Sequence, residues 1–171
     1  MKVLVAYFTQ TGNTEKIAKA IQEEASKTHE VHLKKIEEIK PEICSDYDVV
    51  FLGSPIFARN LPAPVSNFGC SLPKSPNFRF AGFVTHFSPA YSKEDFESGM
   101  NSFGAVSKDK GIDYRGCFEC QGVLAEPLHA MVKKSKKLSD EEFEAMMAEG
   151  AKHPSPEDME KAKEFARNVL A

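Results

Sequence analysis

The residues between positions 9 and 14, Thr9-Gln10-Thr11-Gly12-Asn13-Thr14, gather hydroxyls, carboxamides and a glycine into one short stretch. They follow a nearly all-apolar run over residues 2–8. They precede a segment over 14–27 in which Ile17, Ala20, Ile21 and Ala25 recur on one helical face. Glycine lets such a turn close tightly, and the start of a helix presents unpaired N–H groups at the positive end of its dipole. That combination suits a phosphate dianion. The loop holds no Lys or Arg, so hydroxyls and amides would have to grip the anion by hydrogen bonds alone. A Thr/Asn/Gly turn is also an ordinary way to start a helix; its position directly after the first strand favours the anion. The spacing excludes both a Gly-x-Gly-x-x-Gly dinucleotide loop and a Gly-Lys-Ser/Thr triphosphatase loop.

Other chemistry-bearing residues carry less. Cys117-Phe-Glu-Cys120 has the spacing of a metal or dithiol motif, but it falls in a predicted strand, where residues three apart point to opposite faces. Four irregularly placed cysteines (Cys44, Cys70, Cys117, Cys120) form no cluster of the kind an iron–sulfur protein needs, and they suit a reducing compartment. His86 reads as a structural histidine in a strand-end loop. Lys133-Lys-Ser-Lys-Lys137 reads as a solvated basic loop. Nothing places Ser, His and Asp, or a pair of carboxylates, together.

The elements that must position these residues alternate between two periods. Strands are predicted over 2–8, 31–36, 49–52, 80–87 and 113–121, the last with Tyr114, Phe118 and Cys120 on one face. Helices are predicted over 14–27 and briefly after Pro64. Another is expected behind a capping pattern at Ser92-Lys-Glu-Asp95, with Phe96, Met100, Phe103 and Val106 as its stripe. The tail adds two more: a short extra helix over 139–150 and a last helix behind Ser155-Pro-Glu-Asp158. Five strands alternating with helices imply an α/β fold, a doubly wound parallel sheet covered on both faces. Only the second and fifth strands look half-polar, which sets them at the edges and gives the order 2-1-3-4-5. Its ligand crevice then lies beyond the first, third and fourth strands.

The chain's 171 residues suffice for one such domain. With 22 Lys and Arg against 25 Asp and Glu, the net charge of −3 gives no electrostatic reason to expect nucleic-acid binding. No apolar run approaches a membrane span, and no cleavable signal opens the chain, so the expectation is a cytoplasmic protein.

The opening KVLVAYFTQTGNTEKIAKAI resembles the flavodoxin family, whose Thr/Ser-x-Thr-Gly-x-Thr loop wraps the phosphate of FMN. YDVVFLGSPIFARNLP (47–62) is similar to that family's second flavin loop. FVTHFSPAY (83–91) stands in the place of the third, and SPEDMEKAKEFARNVL reads like its last helix. The resemblance implies that Thr9, Gln10, Thr11, Gly12, Asn13 and Thr14 bind the phosphate. It implies that Pro55, Ile56, Phe57, Ala58, Arg59 and Asn60 face the isoalloxazine, with Phe57 stacked on it. Phe87 and Tyr91 are the candidates for the other face, in a loop that also holds His86 and Ser88. Two residues depart from the family pattern. Ala58 replaces the usual Gly or Asn at a turn that accepts a hydrogen bond from the reduced ring; if that turn needs positive φ, Ala raises its cost by about 1 kcal/mol. Arg59 stands where acidic residues are frequent.

The implied function is a low-potential FMN electron carrier between a redox protein donor and acceptor, as a monomer or weak homodimer. Family carriers are usually strongly acidic, so a net charge of −3 suggests a different docking surface. Two alternatives stand beside it. One is an NAD(P)H-dependent FMN quinone or nitro reductase of the same fold, which needs an open pocket above the ring. The other is a non-redox module that has lost its flavin.

Overall fold

A computed structural model describes residues 1–87 and 93–171. Five parallel strands form one sheet in the order β2-β1-β3-β4-β5, as the polarity pattern implied: β1 (Lys2–Tyr7), β2 (Glu30–Lys35), β3 (Val49–Pro55), β4 (Arg79–His86) and β5 (Asp113–Gln121). Alternate side chains of the central strands feed two separate cores. Val3, Val5 and Tyr7 of β1 with Val49 and Phe51 of β3 pack under α1 (Asn13–Ala25) and α6 (Pro156–Leu170). Leu4, Ala6, Val50 and Leu52 pack under α2 (Ala63–Cys70) and α3 (Glu97–Lys110). Phe51, Phe80 and Phe83 are completely buried, each contributing about 1.5–3 kcal/mol of transfer free energy. Ile17, Ala20, Ile21 and Ala25 all point inward from α1, so the helical stripe holds.

Three expectations need correction. Tyr114 does not share a face with Phe118 and Cys120. Tyr114 pairs with Phe80 and Cys117 with Gly82, so Arg115 and Gly116 together oppose Ala81. The extra residue is accommodated by Gly116 at φ 99, a β-bulge that resets the alternation. Tyr114 therefore packs in the α2/α3 core, while Phe118 and Cys120 pack in the α1/α6 core. Second, α3 begins at Glu97, not at the Ser92 pattern: Lys93–Asp95 form a 3₁₀ turn before it, and Ser92 lies outside the described residues. Third, only the end of the basic run, Lys136 and Lys137, is loop. Lys133 and Lys134 sit in the last turn of α4 (His129–Ser135), where cations meet the negative helix end, so three helices follow β5 rather than two.

The remaining caps match their sequence patterns. The Ser139 and Ser155 hydroxyls accept from the Glu142 and Asp158 N–H groups, and both carboxylates reach back, at α5 (Asp140–Gly150) and α6. Among the described residues no helix is long and apolar enough to cross a membrane.

Candidate cofactor site

The loops that leave the carboxyl ends of β1, β3 and β4 meet at one rim of the sheet, joined by a segment after β5. In the first loop Gly12 adopts a left-handed φ of 85 immediately before α1, which has no side-chain cap at its start. Nothing stands within 4 Å of where a Cβ on Gly12 would lie, so the crest of the loop is open above the first-turn N–H groups. The Gly12 N–H donates to the Thr9 hydroxyl at 3.0 Å, leaving the proton of that hydroxyl for a ligand. Gln10, Thr11 and Asn13 line a small cavity of about 50 Å³ here, with Thr85 and Val123.

Two of the expected phosphate ligands are tied inward. The Thr14 hydroxyl is buried and lies 2.8 Å from the Thr85 hydroxyl on β4. The Asn13 side-chain amide donates one of its two protons to the Val123 carbonyl at 2.9 Å. These two bonds lock the loop to β4 and to the chain beyond β5.

The second loop is a two-residue hairpin turn. Phe57 and Asn60 exchange both backbone hydrogen bonds at 2.9 Å, and Ala58 and Arg59 between them have φ of 46 and 72. Two consecutive left-handed residues define a type I′ turn, which Asn-Gly normally fills. Ala-Arg fills it here at a cost of about 1–2 kcal/mol per residue. The Ile56 N–H donates to the Thr85 carbonyl at 2.8 Å and fixes the base of the hairpin against β4. Pro55 closes β3 and also lines the small cavity. The Arg59 guanidinium lies 3.3 Å from the Asp95 carboxylate, and the Lys136 amine lies 3.0 Å from the other oxygen of the same group.

His86 ends β4. Its ring stacks on Phe96, with centroids 3.8 Å apart and planes 10° from parallel, and its Nε2 lies 2.6 Å from Glu119 Oε2. In the neutral ring the carboxylate holds the proton on Nε2, and Nδ1 is then an acceptor. That Nδ1 is buried without a hydrogen-bond partner among the described residues. A buried unpaired acceptor costs about 1–3 kcal/mol, so the position is one that a ligand N–H would satisfy. Phe87 lines both cavities, and its carbonyl accepts from the Gln121 side chain at 3.2 Å. Ser88 and Tyr91 lie outside the described residues.

A second, larger cavity of about 700 Å³ opens beside the hairpin. Its walls are Gln10, Ile56, Phe57, Ala58, Arg59, His86 and Phe87 on one side, with Leu124, Leu128, Met131, Val132, Ser135 and Lys136 on the other. The α4 wall did not emerge from the residue patterns, although Leu124, Leu128, Met131 and Val132 have the four-three-one spacing of a helical stripe. Thr85 and Asp95 were missed because their roles depend on partners distant in sequence.

The cysteine pair is not a site. Cys117 and Cys120 pack in opposite cores, all four thiols are free, and burial pushes both of these above the ordinary thiol range.

The sequence profile of the flavodoxin domain matches residues 4–167. The chain belongs to the flavodoxin family. A flavodoxin-like domain-containing protein of Clostridioides difficile, BilS, is 29% identical over 186 residues, covering 99% of this chain and 97% of the relative. An uncharacterised protein of Methanocaldococcus jannaschii is 28% identical, covering 99% of each. Among solved structures, oxidised flavodoxin 2 of Bacillus cereus superposes with a TM-score of 0.71 at 22% identity, covering 99% of this chain and 98% of that one. A Fusobacterium nucleatum flavodoxin bound to flavin mononucleotide superposes with a TM-score of 0.65 at 10% identity, covering 99% and 96%. The five-stranded order described above is thus that of the flavodoxin fold.

Proposed function

We propose that the chain binds FMN non-covalently and carries electrons between redox proteins. The observation that carries this reading is the open left-handed Gly12 crest on an uncapped helix, set at one rim with the aromatic walls Phe57 and Phe87 and the unpartnered His86 Nδ1. A phosphate at the crest would take the N–H groups of the first turn and the hydroxyls of Thr9 and Thr11. The flat ring would lie against Phe57 and Phe87, each stacking contact adding about 0.5–1.5 kcal/mol. His86, steadied by Glu119 and Phe96, offers its acceptor to a ring N–H. When bound, FMN supplies the uptake and release of one or two electrons; the chain sets its position, potential and access.

The role requires no catalytic acid or base from the protein, and its partners would be a protein donor and a protein acceptor in a reducing cytoplasm. At a net charge of −3 their docking would depend only weakly on salt. A monomer, or a weak homodimer, fits transient docking of this kind.

An absorption spectrum of the purified chain during stepwise reduction tests the reading. Yellow protein with one FMN per chain is expected, and colourless protein that rejects added FMN would sink it. A second reading, an NAD(P)H-dependent quinone or nitro reductase, is favoured by one observation: the roomy cavity beside the hairpin. Steady NADPH oxidation with a quinone by the FMN-loaded protein alone would select it over the carrier.

A further inference from the structure

The 700 Å³ cavity has two walls of different character. One belongs to the loops assigned above to FMN. The other is α4 with the residues just before it, which the cofactor's phosphate and ring do not require. Charge is divided in the same way. The loop at 9–14, where the FMN phosphate belongs, has no Lys or Arg, whereas Arg59 and Lys136 both stand at the larger cavity and share the single carboxylate of Asp95. Among the described lining residues two cations stand against one carboxylate, and FMN bound as proposed brings its anion to the other cavity. The same cavity has an apolar lining that includes Leu128, Val132 and Met131, the last 58% exposed. An unbranched thioether adapts to ligands of varied outline. The 700 Å³ includes the space beside Phe57 and Phe87 that the FMN ring takes under that reading, so the second ligand has the part against Leu128, Met131 and Val132.

We propose that α4 and the 57–60 hairpin form a second binding site, beside the flavin, for a small molecule with an apolar, flat body and an anionic group. The body lies on Met131, Leu128 and Val132, and the anion meets Lys136 and Arg59. The proposal rests on the FMN reading and goes beyond it, because an electron carrier serving only proteins has no use for such a site.

The test is calorimetric titration of naphthalene-2-sulfonate, with neutral 2-naphthol as control, into the full chain loaded with FMN. One site is expected, with the sulfonate favoured by about fivefold or more over the neutral compound. Lys136→Ala and Met131→Ser should each weaken the sulfonate about fivefold, and Asp95→Asn should tighten it, while FMN affinity changes less than about twofold. Equal binding of the two compounds, indifference to Lys136→Ala, or sulfonate binding only after FMN is stripped would each overturn the proposal. FMN uptake without sulfonate binding overturns it alone; a chain that takes up no FMN overturns the flavoprotein reading with it.

Discussion

Ala58 and Arg59 hold a turn that two L-residues with Cβ atoms resist, since both sit at positive φ. Replacing Ala58 with Gly removes the Cβ–carbonyl clash, and the gain exceeds the added freedom of the unfolded chain. Ala58→Gly should therefore raise stability by about 1 kcal/mol, read as a higher urea midpoint at unchanged m. The Thr14–Thr85 bond makes the opposite prediction. Thr14→Val leaves a buried Thr85 hydroxyl unpaired and should cost about 1–3 kcal/mol. Adding Thr85→Val should recover part of that loss, because the double variant strands no polar group; strictly additive losses would refute the coupling. Thr11 lines the cavity and has no such tie among the described residues, so Thr11→Ala should weaken FMN about tenfold in a fluorescence-quenching titration and leave unfolding unchanged. Spacing alone marked Thr9 to Thr14 as one loop. It could not separate Thr14, engaged by a residue 71 positions away, from Thr11, because that distinction is made by the strand order.

At the scale of elements, the parts legible in the sequence were those governed by local periodicity and caps. The sheet order followed from two half-polar strands, and α5 and α6 followed from Ser boxes whose bonds are all present. The misreadings have physical causes. One inserted residue at Gly116 inverts a period-two pattern without disturbing its look. The lysines of α4 read as solvent-facing loop because its stripe faces a cavity instead of a core. The start of α6 carries its own pH signature. Burial pulls the Asp158 carboxyl upward, but hydrogen bonds from the Ser155 N–H, the His153 ring and the Ser155 hydroxyl together outweigh it and hold it below the ordinary range. The contribution is complete above the unfolded value of about 3.9 and is lost as pH falls through the folded one. Asp158→Asn should then cost about 0.5–2 kcal/mol at neutral pH, with the difference from wild type shrinking in acid.

For the whole molecule, alkaline sensitivity follows from its buried thiols. Cys44 is completely buried and its pKa is pushed up to about 12, chiefly by desolvation. The folded state therefore keeps a proton that the unfolded chain releases from about pH 8.5 upward. Stability should be level below that pH and fall above it, by up to about 1.4 kcal/mol per pH unit for this thiol. Urea midpoints at pH 8 and pH 10 check the slope, and Cys44→Ala should reduce it by this thiol's share, leaving that of Cys117 and Cys120. Below that range the exposed Cys70 should be the first thiol to react with a mild alkylating reagent, because Cys44, Cys117 and Cys120 are all held protonated by burial.

The kink at Gly116 also governs how molecules meet one another. β5 is an outer strand, and an uninterrupted one would offer a neighbouring copy a ready template for zipping sheet to sheet. The doubled residues at 115 and 116 throw that row of donors and acceptors out of step. Light scattering should consequently stay flat as concentration rises, whereas deletion of Gly116, which restores the even spacing while keeping Phe118 and Cys120 on the face they already occupy, should make the protein cluster.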